Sequence, residues 1–368
     1  MEKYRDAVLR YLHHHGEATR GVIMRNLRMR LNGIVAVCDA LLASGEIRKE
    51  DDSRRRNVEL RLVPEQFCAV GVEHLPDALL MVELDCSGKE VRRGEAPLER
   101  RCSGQGRLDA IIKVLDGFLA ARAGRRVVAL GMADVGMVDH GTGRSVYASQ
   151  VEGWEDMPVK ASLGERFAGL VEVMNRGDAG CFADRVKRRE EAGDLIYVVV
   201  KGGIGASVLV GGEFLRERFP AAGEFGHMVV EKDGALCGCG KRGCLEAVAG
   251  PLAIARQAPG GVDWQEVVRG AESGDSHCAR VLAEAGGRLG AGVAGMVCAL
   301  GISRIILRSE VRDGGDIYLS AFEKALRGNL IPPLHRNLDV SSSVIDHFDG
   351  PRGAALLALH KYFNERRN

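Results

Sequence analysis

Four side chains that bind metal ions well lie within eighteen residues of one another. They are His227, Cys237, Cys239 and Cys244. Three thiolates and one imidazole are the ligand number and type of a closed structural zinc site. Glycines between the cysteines allow the backbone to turn tightly around an ion. The alternative is three ordinary cysteines and an unrelated histidine, but their clustering favours zinc.

The bulk composition excludes few functions, whereas the distribution of charge is informative. The chain of 368 residues has a net charge of +1. Residues 1–63 hold 13 lysines and arginines against nine acidic residues, so the N-terminal region is basic and the remainder mildly acidic. A basic head indicates nucleic acid at the N-terminus. No apolar run reaches membrane-spanning length and the first residues do not form a signal peptide, so we expect no membrane association, a cytoplasmic protein and reduced cysteines.

Residues 1–63 have the pattern of a winged helix–turn–helix. Apolar positions predict three helices, with Thr19 capping the second and Gly45 ending the third. Two alternating segments around a basic tip then predict a β-hairpin, the wing. The function expected is DNA binding by the start of the third helix and by the wing; the alternative is a domain for protein contacts. The predicted DNA-binding residues are Arg28, Arg30, Asn32, Gly33, Arg54, Arg55 and Arg56.

Pro64 begins a larger body in which predicted strands alternate with helices, the pattern of an α/β fold. Two strands and a turn at Ser87-Gly88 are expected first. The further predicted strands cover 127–132, 171–174, 195–200, 208–210 and 304–307, with a glycine-rich loop over 201–207. The predicted helices cover 107–123, 164–170, 179–189, 264–269, 277–297 and 351–363.

Several motifs in this body resemble those of the ROK family of bacterial repressors and sugar kinases. They are K-G-G-I-G-A-S at 201–207, A-G-E-F-G-H-M at 222–228, C-G-C-G-K-R-G-C-L-E at 237–246, and G-M-V-D at 136–139 followed by G-W-E-D-M-P-V at 153–159. The resemblance covers nearly the whole chain, and the winged helix makes the repressor branch the nearer one. It implies a two-lobed, actin-like (ribonuclease H-like) ATPase-type body with a structural zinc loop. The lobes are expected at 64–190 and 191–368, with the C-terminal helix packed back on the first lobe.

The resemblance also implies roles for four residues. Glu224, His227 and Glu246 would bind sugar hydroxyls, and His227 would share its ring between the sugar and zinc. Asp178 occupies the position of the carboxylate that acts as base in the family's kinases. Considered without the resemblance, Asp178 could equally cap a turn, and Glu246 could be an ordinary helix-start residue.

The chain departs from the kinase pattern at both nucleotide contacts. The kinases have a D-x-G-G-T loop after the first strand, where this chain reads E-H-L-P-D at 73–77. They also have a glycine pair where this chain has Arg308 and Ser309. Phosphoryl transfer depends on positioned phosphates, so we expect no catalytic residues and no kinase activity. An ATP-dependent, glucokinase-like sugar kinase is the alternative.

The sugar site departs from the pattern as well. Gly177 and Gly180 stand where the family has asparagines, and Val135 stands in place of a proline. The ligand is therefore a sugar, a modified sugar, another small polar molecule, or none. The function predicted is a sugar-responsive transcriptional regulator, a repressor by resemblance, with structural Zn²⁺, a DNA operator and a sugar effector as partners. The resemblance implies a homodimer, with a tetramer as the other possibility, and a ligand-free scaffold is a further alternative function.

Overall fold

The computed structural model describes residues 2–50, 58–99, 102, 104–121, 124–148, 150–189, 193–258, 262–313, 316–344 and 346–364. The N-terminal elements are α1 Glu2–His15, β1 Glu17–Thr19, α2 Arg20–Asn26, α3 Leu31–Ala43, β2 Ile47–Lys49 and β3 Glu59–Leu62. The predicted cap is confirmed, since the Thr19 side chain accepts a hydrogen bond from the Val22 amide. The sequence did not predict β1, which pairs with β3 and makes the hairpin a three-stranded antiparallel sheet. The predicted wing residues Arg54, Arg55 and Arg56 lie outside the described residues.

The strands of the next part of the chain are β4 Phe67–His74, β5 Ala78–Asp85, β6 Glu90–Pro97, β7 Arg126–Asp134, β8 Met137–Asp139, β9 Arg144–Tyr147, β10 Glu155–Met157 and β11 Leu170–Asn175. The helices of this part are α4 Gly104–Ala120, α5 Val159–Gly164 and α6 Arg176–Arg188. Five of the strands form a first mixed sheet in the order β11-β7-β4-β5-β6. Strand β4 is buried along its whole length, as expected for the centre of a sheet covered on both faces.

A second mixed sheet contains the strands β12 Leu195–Lys201, β13 Gly203–Val210, β14 Glu213–Phe214, β15 Arg304–Ser309 and β16 Asp339–Ser342. Their order in the sheet is β14-β13-β12-β15-β16. The helices of this part are α7 Leu245–Ala249, α8 Pro251–Gln257, α9 Trp264–Glu272, α10 Ser276–Leu300, α11 Asp316–Gly328, α12 Pro332–Arg336 and α13 Asp349–Asn364. Helix α10 crosses the main core of this half. It is the one helix among the described residues that is long and apolar enough to span a membrane, and 56% of its apolar window is buried inside the protein.

Three predictions of secondary structure were wrong. Residues 67–97 form three strands, because a short turn at 75–77 already reverses the chain before the turn at Ser87-Gly88. The helix expected at 164–170 lies at Val159–Gly164, since Pro158 provides a start and Gly164 favours an end. The glycine-rich segment is mostly strand β13, whose pairing with β12 begins next to a tight turn at Gly202. Helix α11 and strand β16 were not predicted.

Helix α13 connects the parts of the molecule. It packs on β4, β5, β7 and α6, so it covers one face of the first sheet. Its last turns contact α1: Tyr362 Oη donates a 2.8 Å hydrogen bond to Asp6, and the rings of His13 and Phe363 stack at 3.8 Å. The apolar residues of the N-terminal helices, of the first sheet and of α13 form one continuous hydrophobic cluster.

Candidate functional site

The four predicted zinc ligands converge on one point. Their ligand atoms all lie within 4.8 Å of one another. Sγ of Cys237 is 3.6 Å from Nδ1 of His227, and Sγ of Cys239 is 3.7 Å from Sγ of Cys244. Zinc bonds of about 2.0–2.3 Å in a tetrahedron place neighbouring ligand atoms at roughly 3.3–3.8 Å, so the residues fit a zinc ion. Burial raises the pKa of the Cys244 thiol to about 12, and a bound cation would offset that cost by stabilising the thiolate.

Glu246 joins the zinc loop to the second sheet. Its Oε2 accepts a 2.9 Å hydrogen bond from the Ile204 amide at the start of β13, and its Oε1 lies 3.9 Å from Sγ of Cys237. Gly203 is required here, because a Cβ atom at this position would lie 2.2 Å from Oε2 of Glu246. The zinc loop and the glycine-rich strand are therefore fitted to each other.

A cavity of about 260 Å³ lies between the two sheets and is bounded on one side by the zinc loop. Three of the predicted ligand-binding residues, Glu224, His227 and Glu246, line it together. Asn175, which caps α6, also lines it, but its amide is engaged: Nδ2 donates to the Gly136 carbonyl at 2.9 Å and Oδ1 accepts from the Gly177 amide at 2.8 Å.

Asp178 lies behind this cavity and is fully buried. Nη1 of Arg216 donates to its Oδ1 at 3.1 Å, and Nε2 of His140 lies 3.4 Å from its Oδ2. Burial would raise the pKa of this carboxyl, but the Arg216 guanidinium and His140 lower it below its usual value. Asp178 is therefore an ionised, charge-paired group.

Sequence reasoning missed Arg216, which organises this side of the cavity. Its guanidinium is 4% exposed, and it bonds the Ala206 carbonyl at 3.0 Å and Oε1 of Glu224 at 3.3 Å as well as Asp178. It thus bridges two of the predicted sugar-binding carboxylates. No sequence signal indicated this role, because Arg216 lies in a short irregular segment, 38 residues from Asp178.

The predicted DNA-binding residues that the structure describes lie in the N-terminal region, between α2 and the first turn of α3. Arg28, Arg30, Asn32 and Gly33 are exposed and cluster at the start of α3, where Arg30 is the N-cap residue. Leu31 beside them is 64% exposed. The start of α3 is therefore a free surface with cationic, amide and apolar side chains.

A model of the ROK family matches residues 93–361. The chain belongs to the ROK family. Its relatives include the DNA-binding transcriptional dual regulator NagC of Escherichia coli K12, 25% identical over 93% of this chain and 88% of that protein. A glucokinase of Streptomyces coelicolor is 26% identical over 68% of this chain and 85% of that protein. A solved ROK family transcriptional regulator, a homolog of the E. coli MLC protein, has a TM-score of 0.78 and 18% identity, over 98% of this chain and 96% of that one.

This ROK protein has an actin-like α/β body. Strand β4, the first strand of this body, ends in a turn at 75–77. Nη2 of Arg107 donates to the carbonyls of Leu75 and Pro76 at 2.8 and 2.7 Å. Nε of Arg107 donates to Nε2 of His74 at 2.7 Å, so the His74 proton lies on Nδ1 and is donated to Asp134 at 2.9 Å. The turn is fixed through its carbonyls by a cation, whereas a phosphate-binding loop presents free amides.

Proposed function

We propose that this ROK protein is a sugar-responsive transcriptional regulator without kinase activity, and that it acts as a repressor in the cytoplasm. The observation that carries the absence of kinase activity is the turn at 75–77, in which Arg107 occupies the carbonyls and Pro76 lacks an amide donor. The charge pairing of Asp178 with Arg216 agrees with it, because a general base works best when its pKa lies near the operating pH.

We assign DNA reading to the N-terminal helices. Their order, with a β-hairpin after α3, is that of a winged helix–turn–helix, and α3 would enter the major groove by its exposed first residues. The exposed Leu31 side chain suits contact with thymine methyl groups. A regulator that reads a palindromic operator works as a dimer or a tetramer, because its two-fold symmetry matches the half-sites.

Helix α13 provides the physical route from ligand to DNA. Gly350 in its first turn packs directly on the buried carboxylate of Glu73, which lines the cavity: a Cβ atom at 350 would lie 1.9 Å from Oε2. The other end of α13 bonds α1 through Tyr362. A ligand that changes the closure of the two lobes would therefore shift the N-terminal helices and the spacing of the two DNA-reading surfaces in a dimer.

Zinc would hold the loop that carries the sugar contacts. His227 both lines the cavity and belongs to the metal-binding set, so a bound ion would orient a ligand contact. Its chemistry would be structural: the ion crosslinks the loop and stabilises thiolates.

The test is enrichment of genomic fragments by the purified full-length protein at a fixed, near-physiological salt concentration, followed by sequencing. We expect one palindromic site. The double variant Arg30→Gln/Asn32→Ala should lose it, since each base contact contributes about 1–3 kcal/mol of discrimination. Arg218→Gln, an exposed arginine on the body, should keep it. Absence of enrichment by the intact chain would reject the regulator and favour a scaffold.

A sugar kinase is the second candidate, favoured by the glucokinase relative and by the presence of Asp178. Its test is consumption of ATP in the presence of a panel of hexoses. Turnover that is lost in Asp178→Asn would establish the kinase and reject the proposal above.

A further inference from the structure

Three cationic side chains line the cavity. They are Arg176 at the start of α6, Lys201 at the end of β12 and Arg308 near the end of β15. We call them the cleft cations. Strands β12 and β15 are parallel neighbours with Val199 opposite Arg308, so Lys201 and Arg308 emerge at the same edge of the sheet.

The carboxylates nearby do not balance these charges. Glu73 is 1% exposed and accepts a 2.9 Å hydrogen bond from Nε of Arg176. Nζ of Lys201 lies 3.9 Å from Oε1 of Glu310, whose side chain is 38% exposed. In the part of the chain that the structure describes, Arg308 has neither an ion-pair nor a hydrogen-bond partner. Three cations thus face one buried and one partly exposed carboxylate, and among the described residues Arg308 is the cation left without a partner.

The crowding of positive charge also affects Lys201. Burial lowers its pKa, Glu73 opposes this, and the neighbouring Arg176 and Arg308 lower it further. A partly buried cation that faces other cations is unfavourable unless an anion joins them. The site is therefore prepared for a negative charge that the protein does not supply.

We propose that the cleft cations bind an anionic group carried by the effector itself, a phosphate monoester or a carboxylate on a monosaccharide. The cavity of about 260 Å³ is at the small end of ligand pockets and suits one sugar unit with a substituent. The hydroxyls would meet Glu224, His227 and Glu246, and the anion would meet the arginine forks, which match phosphate and carboxylate oxygens. This inference rests on the proposed function for the position of the sugar.

The experiment is calorimetric titration of the purified full-length protein at low and at physiological salt. The probes are matched sets of neutral hexose, hexose 6-phosphate and hexuronate built on glucose, galactose and mannose, together with inorganic phosphate. Within at least one set the anionic member should bind at least about tenfold more tightly than the neutral one, with an affinity that falls as salt rises. The phosphate and uronate arms distinguish the two sources of charge.

Variants connect the affinity to the cleft cations. Arg308→Gln should weaken binding of the anionic sugar by about 10- to 100-fold and leave any neutral sugar unchanged. Arg308→Lys should recover part of the loss because it keeps the charge. Arg304→Gln, at the opposite end of the same strand, is the matched control and should not change the affinity. Melting temperatures of the variants establish that each is folded.

Several outcomes would overturn the inference. They are equal or tighter binding of the neutral members, binding of no anionic sugar, an unchanged affinity in Arg308→Gln, or inorganic phosphate binding as tightly as any sugar. The DNA enrichment is scored separately. If the protein binds anionic sugars but enriches no DNA site, the regulator proposal is rejected and the anion site is kept. If it enriches a DNA site but does not prefer anionic sugars, the anion site is rejected and the regulator proposal is kept.

Discussion

Arg216 determines what the carboxylate at the family's base position can do. It neutralises Asp178 in a buried setting and also bonds Glu224. A carboxylate that acts as the base in a kinase must be free to take a proton from a sugar hydroxyl. Here the nearest cation stabilises the ionised form and lowers its basicity. In the function proposed above, the arginine would give Asp178 a structural role in place of a catalytic one.

Removal of this arginine should be costly. Arg216→Met leaves the buried Asp178 charge with only His140 nearby, so we expect the free energy of unfolding to fall by about 3–5 kcal/mol. Urea denaturation at pH 7 measures it. The double variant Arg216→Met/Asp178→Asn should recover part of the loss, and Arg218→Met, which is exposed, should change it by no more than about 0.5 kcal/mol. A loss in the double variant equal to that in the single one would refute the ion-pair explanation.

The buried carboxylate of Asp134 should make stability depend on pH. Burial raises its pKa, but hydrogen bonds from His74, Ser145 and Trp154 lower it below the usual value. A lowered folded-state pKa means that the stabilisation is complete above the unfolded pKa of about 3.9 and is lost as pH falls through the folded value. At pH 7 the free energy of unfolding of the wild-type protein should exceed that of Asp134→Asn by about 3–5 kcal/mol.

This difference should shrink below about pH 4, because the carboxyl takes up a proton in the unfolded chain first and in the folded protein only at lower pH. Urea denaturation from pH 7 to pH 3 provides the comparison. Asp116→Asn, at an exposed position on α4, is the control and should leave the pH profile unchanged. A difference that is constant with pH would show that Asp134 acts by shape alone.

The candidate site was predictable to the extent that its residues are close in sequence. The zinc ligands fall in one segment with recognisable spacing, so they could be found from residue types. Arg216, His140 and Ser207 meet Asp178 only through the fold. The glycine at 177 is explained in the same way: a Cβ atom there would lie 2.7 Å from Oγ of Ser207, so the asparagine of the family pattern would need that serine to move.

At the scale of elements, the zinc loop is the part that depends most on something outside the chain. Residues 223–246 contain a 3-10 turn and two isolated bridges, but no long helix or strand holds them. Small irregular segments bury little apolar surface, so a metal crosslink between the four ligands would supply much of the stability of this loop.

Cys239→Ser should lower bound zinc below one ion per chain and reduce the melting temperature, because one of four ligands is lost. Elemental analysis and thermal unfolding measure both. Cys298→Ser replaces an exposed cysteine on α10 and should alter neither. An unchanged metal content in Cys239→Ser would reject the zinc assignment.

Elements with a clear period were predicted well, and those shaped by contacts were not. The apolar stripes of α3 and α10 and the continuous apolar run of β12 gave the correct type with small errors at the ends. Only the last residues of β13 were predicted as a strand, whereas its glycine-rich first part was predicted as a loop because glycines usually mark turns. The structure uses Gly203 for a close approach of the Glu246 carboxylate, which is a tertiary requirement that a local pattern does not contain.

At the scale of the whole molecule, α13 spans the distance between the cavity and the N-terminal helices. Its first turn contacts Glu73, its middle covers the first sheet, and its last turns contact α1. A rigid helix that touches both sites can transmit a small displacement between them.

Tyr362→Phe should weaken this transmission. It removes the 2.8 Å hydrogen bond to Asp6 but keeps the ring in the shared core. We expect the affinities for DNA and for the effector, each measured alone, to change little, while the coupling between them falls by about 0.5–2 kcal/mol. DNA titrations with and without effector measure it, with Tyr4→Phe, an exposed tyrosine on α1, as the control. Coupling equal to wild type would remove this contact from the route.

The hydrophobic cluster that the N-terminal helices share with the body has consequences for evolution and for protein engineering. Phe67 and Phe363 of the body are almost completely buried, in the same cluster as Leu9 and Leu12 of α1. A body cut at Pro64 would present this apolar surface to water and should aggregate. For the same reason, N-terminal helices transferred from a relative would not pack on this body unless α13 were exchanged with them. In this lineage, operator specificity should diversify by substitutions on the exposed face of α3, and seldom by exchange of the whole N-terminal domain.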